Sequence, residues 1–309
     1  MKKLSFLFVM VFAVGFAMAE NNAKVSTTGN YNDALITQGI ANNNTATILQ
    51  NQNGSEGYHS LAQISQGASS WGKITQLDTR NYATITEALA DKAEIYQEGK
   101  VNNSNISFEY GLGNNVGYVE QVGDYNSGYI KSTFHNNGNG SEQDPLKVWQ
   151  HGNNNLGSIE AGWNAPSSNF DRASIKQTGN KNSSTVRLEG GDYNDARVVQ
   201  TGDENHADLT QTGSLLVATI DQSGDKNIVN LNQTGDFVDI DQNGNQNEVR
   251  GLQTDPTPNG KLWATFAGAT LDVDQMGDGN TLDLKSTSSG AVVDVYQNGM
   301  MNKSMVIQN

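Results

Sequence analysis

From Asn205 to Gln211 the chain alternates: Asn205, Ala207, Leu209 and Gln211 share one parity, and His206, Asp208 and Thr210 occupy the other. The next segment repeats this, with Asn227, Val229, Leu231 and Gln233 set against Ile228, Asn230 and Asn232. Period-two patterning places successive side chains on opposite faces and predicts β-strands. The inward face carries Asn, a small or branched apolar residue, a larger apolar residue and then Gln. The outward face is polar, with Ile228 the exception. Between each Gln and the next Asn lies a Gly-x-x segment, whose glycine permits the positive φ of a tight turn.

The unit returns at a short fixed period, which marks a stack of small units. Gln200, Gln211, Gln222 and Gln233 step by 11, and Gln242, Gln253, Gln275, Gln297 and Gln308 continue with steps of 9, 11, 22, 22 and 11. The turn glycines Gly202, Gly224, Gly244 and Gly299 each precede Asn205, Asn227, Asn247 and Asn302 by three residues, as do Gly179 and Gly277 before Asn182 and Asn280. Two units bring the chain back to its starting side. This predicts an all-β fold, a β-solenoid of about twelve 22-residue rungs in strand-turn-strand order. Two parallel sheets would face each other about 10 Å apart, with rungs about 4.7–4.9 Å apart, so that Gln and Asn amides stack into ladders. The stack would be on the order of 55–60 Å tall.

Towards the N-terminus the frame continues less regularly. Ala34-x-Ile36-x-Gln38, Ala46-x-Ile48-x-Gln50, Ala62-x-Ile64-x-Gln66, Ile74-x-Gln76 and Ala93-x-Ile95-x-Gln97 fit it, followed by Val119-x-Gln121, Val148-x-Gln150 and Ile175-x-Gln177. Glu87, Phe108, Ser132, Ala161 and Leu188 stand where Gln is expected. The column therefore reads as well kept from Gln177 to Gln308 and eroded before it, which makes the C-terminal half the expected assembly-competent part. All four prolines, Pro145, Pro166, Pro256 and Pro258, fall where the spacing lengthens. A parallel ladder does not tolerate a missing N–H, so insertions are expected near 133–147, 162–171 and 254–268.

The first nineteen residues read as a cleaved signal peptide: Lys2 and Lys3, an apolar run from Leu4 to Val14, then Ala17-Met18-Ala19. Residues 20–26 form a short N-terminal segment and the solenoid occupies 27–309. Cleavage after Ala19 removes the two lysines and moves the net charge from −14 to −16. The chain has no cysteine, and with the leader included only 35% of its residues are hydrophobic beside 33 glycines. Neither disulfides nor a thick apolar core can hold it, whereas periodic polar ladders can. The acidic balance argues against nucleic acid as a partner, and no later stretch is apolar enough to span a membrane.

The pattern from Gln200 to Gln211 resembles the curlin repeat, and the likeness extends over nearly the whole mature chain from about Thr27. Curlins are the subunits of curli, the secreted functional amyloid fibres of bacterial biofilms. The resemblance implies passage unfolded through an outer-membrane secretion channel, nucleated polymerisation with a nucleator subunit, and a role in adhesion and matrix. The chain departs from the familiar major subunit in length, in its degenerate Gln positions and in its proline-containing insertions. It is therefore expected to be a secreted, self-assembling structural subunit; the alternative is a non-polymerising β-solenoid adhesin or a minor nucleator.

The remaining chemistry supports no other class. His59, His135, His151 and His206 share no repeat position, so no catalytic residue, metal site or cofactor is expected. Asp239, Asp241, Asp272, Asp274, Asp283 and Asp294 alternate outward, which predicts a solvated acidic face. Tyr31, Tyr125, Tyr193, Trp149 and Trp163 are expected mostly at turns or insertions. A polysaccharide-cleaving β-helix would need a groove with convergent carboxylates, which this scatter does not provide.

Overall fold

In the computed structural model the alternating segments are extended, and nearly every one pairs with the segment two places along the chain. The structure describes residues 10–11, 21–39, 43–51, 59–109, 115–133, 135–136, 146–162, 168–169, 171–233, 238–251, 264–266, 271–286 and 293–308. Consecutive strands alternate between two sheets, of 14 and 12 strands. We call the 14-stranded one sheet I and the 12-stranded one sheet II. Sheet II runs from Asn22–Thr28 to Val293–Asn298, and sheet I ends on Lys303–Gln308. All their pairings are parallel and keep like residues opposite one another, as in Gln177↔Gln200↔Gln222. The fold is a β-solenoid.

The inward face of each strand supplies two apolar columns. In sheet II one column holds Ile48, Ile74, Ile95, Val119, Val148 and Ile175, all with no exposed surface. In sheet I, Ile64, Ile85, Ile106, Ile130 and Ile159 are equally buried. Branched side chains suit a pleated surface, and each fully buried one contributes roughly 1.5–3 kcal/mol. The thin core is closed laterally by the Gln and Asn columns. At the ends it is less covered: Val25 and Ala34 in the first rung, and Val295 and Val306 in the last, are only partly buried.

Several boundaries differ from expectation. The strand Asn22–Thr28 begins inside the segment 20–26 that was expected to precede the solenoid. Its pairing with Thr45–Asn51 makes it the first strand of sheet II. Within the leader, Met10 and Val11 pair with Leu35 and Ile36 at the first edge of sheet I. The first two insertions lie mostly outside the described residues, as do Pro145, Pro166, Pro256, Pro258 and Trp163, but His135–Asn136 pairs in parallel with Ser168–Asn169. The third insertion returns to the sheet: Ala264–Phe266 pairs with Leu231–Gln233. Trp149 sits in a strand, Leu146–His151, rather than at a turn. Asp208 and Thr210 are buried despite their outward parity, and His206 Nε2 lies 2.9 Å from Asp208 Oδ2.

Candidate functional site: the amide columns

The glutamines form two separate columns, one per sheet. The column in sheet II runs unbroken through Gln50, Gln76, Gln97, Gln121, Gln150, Gln177, Gln200, Gln222, Gln242, Gln275 and Gln297. Each Nε2 donates to the Oε1 of the Gln in the following rung, at 2.7–2.9 Å throughout. The second Nε2 hydrogen donates across to a carbonyl where a sheet I strand starts. Gln150 reaches Ser127 at 3.0 Å, Gln177 reaches Leu156 at 2.8 Å and Gln200 reaches Ser183 at 3.1 Å. Each Gln therefore ties its rung to the next and sheet II to sheet I. Both amide hydrogens are satisfied where burial would make an unpaired group costly.

The sheet I column is the interrupted one. It passes through Gln38, Gln66, Glu87, Phe108, Ser132, Ala161, Leu188, Gln211 and Gln233. Every substitution read as erosion of the N-terminal half belongs to this column, while sheet II keeps its glutamines through the same rungs. The contrast is thus between two sheets and not between two halves of the chain, because the eleven-residue step switches sheet each time. The place after Gln233, expected for Gln253, is taken by Phe266. Sheet I is described up to Gly251 and again from Ala264, and Gln253 lies outside the described residues. Gln308 pairs with Ser286 in the last rung, so the column is broken near the C-terminus too.

The asparagines work differently from stacked amides. Their short side chains bond the backbone of the following rung. Asn182 Oδ1 accepts from the Asn205 backbone N–H at 3.0 Å, while its Nδ2 donates to the Gly202 carbonyl at 2.7 Å. Asn205 repeats both contacts with Asn227 and Gly224, at 3.0 and 2.7 Å. The backbone bond continues through Asn247, Asn280 and Asn302. Each Asn thus serves as a clamp that fixes the next turn. This line of clamps extends back through Asn155, Asn126, Asn102 and Asn81.

The turns explain why glycine is needed. Gly202 has φ +111°, and a Cβ there would lie 2.2 Å from the carbonyl oxygen of Gly224. The same close approach joins Gly179 to Gly202 and Gly244 to Gly277. A second left-handed residue follows two places later and is not glycine: Lys181, Glu204, Lys226, Gln246 and Met301 have φ between 56° and 61°. These residues carry unlike side chains, so sequence patterning gives no sign of them. On the opposite edge the clamp position holds Asn44, Ser70, Asp91, Asn115, Asp171, Asn194 and Leu216. The Asn44 carbonyl oxygen of the side chain accepts from Ser70 N–H at 2.9 Å, and Asp91 Oδ1 from Asn115 N–H at 3.0 Å. This edge escapes a search for Gly-x-x-Asn because four residue types share one position.

Two buried carboxyls interrupt the amide pattern. Glu87 Oε2 accepts from Gln66 Nε2 at 2.8 Å, whereas its Oε1 is buried with no hydrogen-bond partner. The next residue in the column is Phe108, which is fully buried. Burial raises the Glu87 carboxyl well above its ordinary value of 4.5; the Gln66 amide opposes the rise and nearby Asp91 adds to it. Asp91 is itself raised by burial, opposed by hydrogen bonds from Asn115, Ala88 and Leu89.

Among the described residues no group of three or more His, Asp or Glu side chains is placed to hold a metal ion. Likewise no described helix is long and apolar enough to cross a membrane. Residues 202–235 match the family model of the curlin associated repeat. No curated protein matches the chain. The matched segment spans Gly202, Asn205, Gln211, Gln222, Gly224, Asn227 and Gln233, so it takes in clamps and members of both glutamine columns.

Proposed function

We propose that this chain, which carries the curlin associated repeat on a β-solenoid, is a curli-type subunit that polymerises end to end into extracellular fibres. The observation that carries the reading is the complementarity of the two end rungs. The first rung turns at Gly29, Tyr31 and Asn32, and the last at Gly299, Met301 and Asn302, with the same pairs of positive φ. The half-covered Val25 at one end stands in the same column as the half-covered Val295 at the other, and the half-covered Val306 stands in the column of Ile36, while Ala34 shares its column with Ser304. Docking the last rung of one copy on the first rung of the next would continue both sheets and cover these residues. It would also pair the open strand edges, which act as templates for another chain. Gln50 Oε1 is buried with no hydrogen-bond partner, because Thr27 stands beside it in the first rung.

Export fits the same scheme. Removal of residues 1–19 as a leader would also remove the Met10–Val11 pairing and open the first edge of sheet I. The surfaces available for adhesion are the outer faces of the sheets. A nucleator subunit and an outer-membrane channel are the partners this reading requires; an enzymatic activity is not part of it.

The purified chain lacking residues 1–19 is expected to gain thioflavin-type fluorescence and to give a cross-β reflection near about 4.7–4.8 Å. Val25→Lys, which puts a charge on the docking end, should lengthen the lag at least about tenfold while preserving the monomer fold. A chain that stays monomeric for days would instead favour the non-polymerising adhesin.

A further inference from the structure

The outer face of sheet II is divided by charge along the solenoid. From Trp71–Leu77 to Asp195–Thr201 it carries six cations: Lys73, Lys92, Lys147, Arg172, Lys176 and Arg197. The next four strands carry no Lys or Arg on that face, and instead present Asp221, Asp239, Asp241, Asp272, Asp274 and Asp294. Four acids share the first band, Glu94, Glu98, Glu120 and Asp195, so the bands sum to +2 (six minus four) and −6. Those four acids are already engaged, and so are Lys73 and Arg172, which hold two of them. Glu94 pairs with Lys73 at 2.7 Å, Glu120 with His151 at 2.8 Å and Asp195 with Arg172 at 2.8 Å, while Glu98 accepts from the Tyr96 hydroxyl at 2.8 Å. In the aspartate band only Asp221 meets a cation, Arg197 at 3.2 Å.

The cationic band is also apolar. Lys92 Nζ lies 5.3 Å from the centre of the Trp71 ring and Lys147 Nζ lies 5.2 Å from that of Trp149. Tyr118 meets Trp149 edge to face at 6.2 Å. Rings beneath amines give a firm surface in which apolar area and positive charge coincide, as in the cores of protein interfaces.

We propose that this face docks a second copy of the chain, laid antiparallel about a two-fold axis perpendicular to the solenoid. The first four strands of the cationic band, with Lys73, Lys92 and Lys147, then face the aspartate band of the other copy, and the two strands Arg172–Thr178 and Asp195–Thr201 meet their counterparts about the axis. A parallel arrangement would set aspartates against aspartates. Ten strands at about 4.8 Å, each about 23 Å long, give a face of roughly 1,100 Å² per partner, above the approximately 800 Å² of a standard stable interface. Burial and mutual repulsion raise the carboxyls of Asp239, Asp241 and Asp272, so an opposing cationic band would relieve a strain already present. The pairing is lateral and does not require end-to-end growth. In a fibre it would join two filaments running in opposite directions.

A charge-swap experiment tests it. Two variants of the full chain are made, Lys92→Glu with Lys147→Glu, and Asp241→Lys with Asp274→Lys. Sedimentation of unpolymerised protein at low salt should show wild-type pairs, with each variant alone at least about tenfold weaker in self-association. An equimolar mixture of the two variants should recover the wild-type affinity to within about threefold. Recovery in the mixture also shows that both variants are folded. The proposal is overturned if wild type stays unpaired at about 100 µM, if the swaps leave pairing unchanged, or if the mixture does not recover. None of these outcomes depends on fibre growth, which the dye assay reads separately.

Discussion

Gln177→Leu should lower the stability of the solenoid by about 3–5 kcal/mol, whereas Gln211→Leu should cost less. The two residues occupy equivalent places in sequence and differ only in sheet. Gln177 accepts from Gln150 and donates to Gln200, both at 2.9 Å, and donates to the Leu156 carbonyl at 2.8 Å. Leucine there would leave an amide hydrogen of Gln150, Oε1 of Gln200 and a backbone carbonyl buried without partners. Each such group costs about 1–3 kcal/mol. Gln211 follows Leu188 and Ala161 in its column, and its bond to the Asp195 carbonyl is long, at 3.4 Å. Leucine at 211 would extend an existing apolar run. Equilibrium denaturation of the two unpolymerised variants checks the difference. Similar losses would show that the sheet II column has no special part in stability.

Glu87→Gln should raise stability at neutral pH, by on the order of 1–3 kcal/mol, and should flatten its pH dependence. The sign follows from the direction of the shift. The folded carboxyl is raised above its ordinary value of 4.5, chiefly by burial. Folding therefore favours the protonated form. Its contribution is fully present below the unfolded value and is lost as pH rises through the elevated folded one. Above that point a charge sits with Oε1 unpaired and Phe108 next in the column. Glutamine in its place would continue the amide pattern set by Gln38 and Gln66. Wild type should melt progressively lower as pH rises above the ordinary carboxylate range and through the raised folded value, and the variant should not. Parallel melting curves for the two proteins would remove Glu87 from the account.

Much of the solenoid was legible because strand, turn and register share one period. The alternation Asn–apolar–apolar–Gln predicted the inward columns, and glycine at 202, 224 or 244 marked turns where a Cβ has no room. The assignment of strands to sheets was harder to read. An eleven-residue step visits the sheets in turn, so one intact column and one interrupted column merge into a single string of uneven glutamines. Only the parallel pairing separates them. The role of asparagine was also hidden, since its partners are backbone groups that every residue type has. At Ser70, Asp91, Asp171 and Leu216 the clamp position changes residue type, and at Glu204 or Lys226 the left-handed backbone has no side-chain signature. Spacing also cannot show that Ala264–Phe266, beyond the insertion, pairs with Leu231–Gln233.

The sheet II glutamines have a further consequence when regarded as oriented dipoles. From Gln50 to Gln297 each amide offers its oxygen towards the N-terminal end and its hydrogens towards the C-terminal end. Aligned dipoles add and polarise one another, as peptide units do along a helix. The column is therefore a molecular electret, with its positive pole at the last rungs. Asp239, Asp241, Asp272, Asp274 and Asp294 gather around that pole, whose field acts against the mutual repulsion of their carboxylates. A filament built end to end would sum these dipoles copy by copy, giving it two electrically different tips.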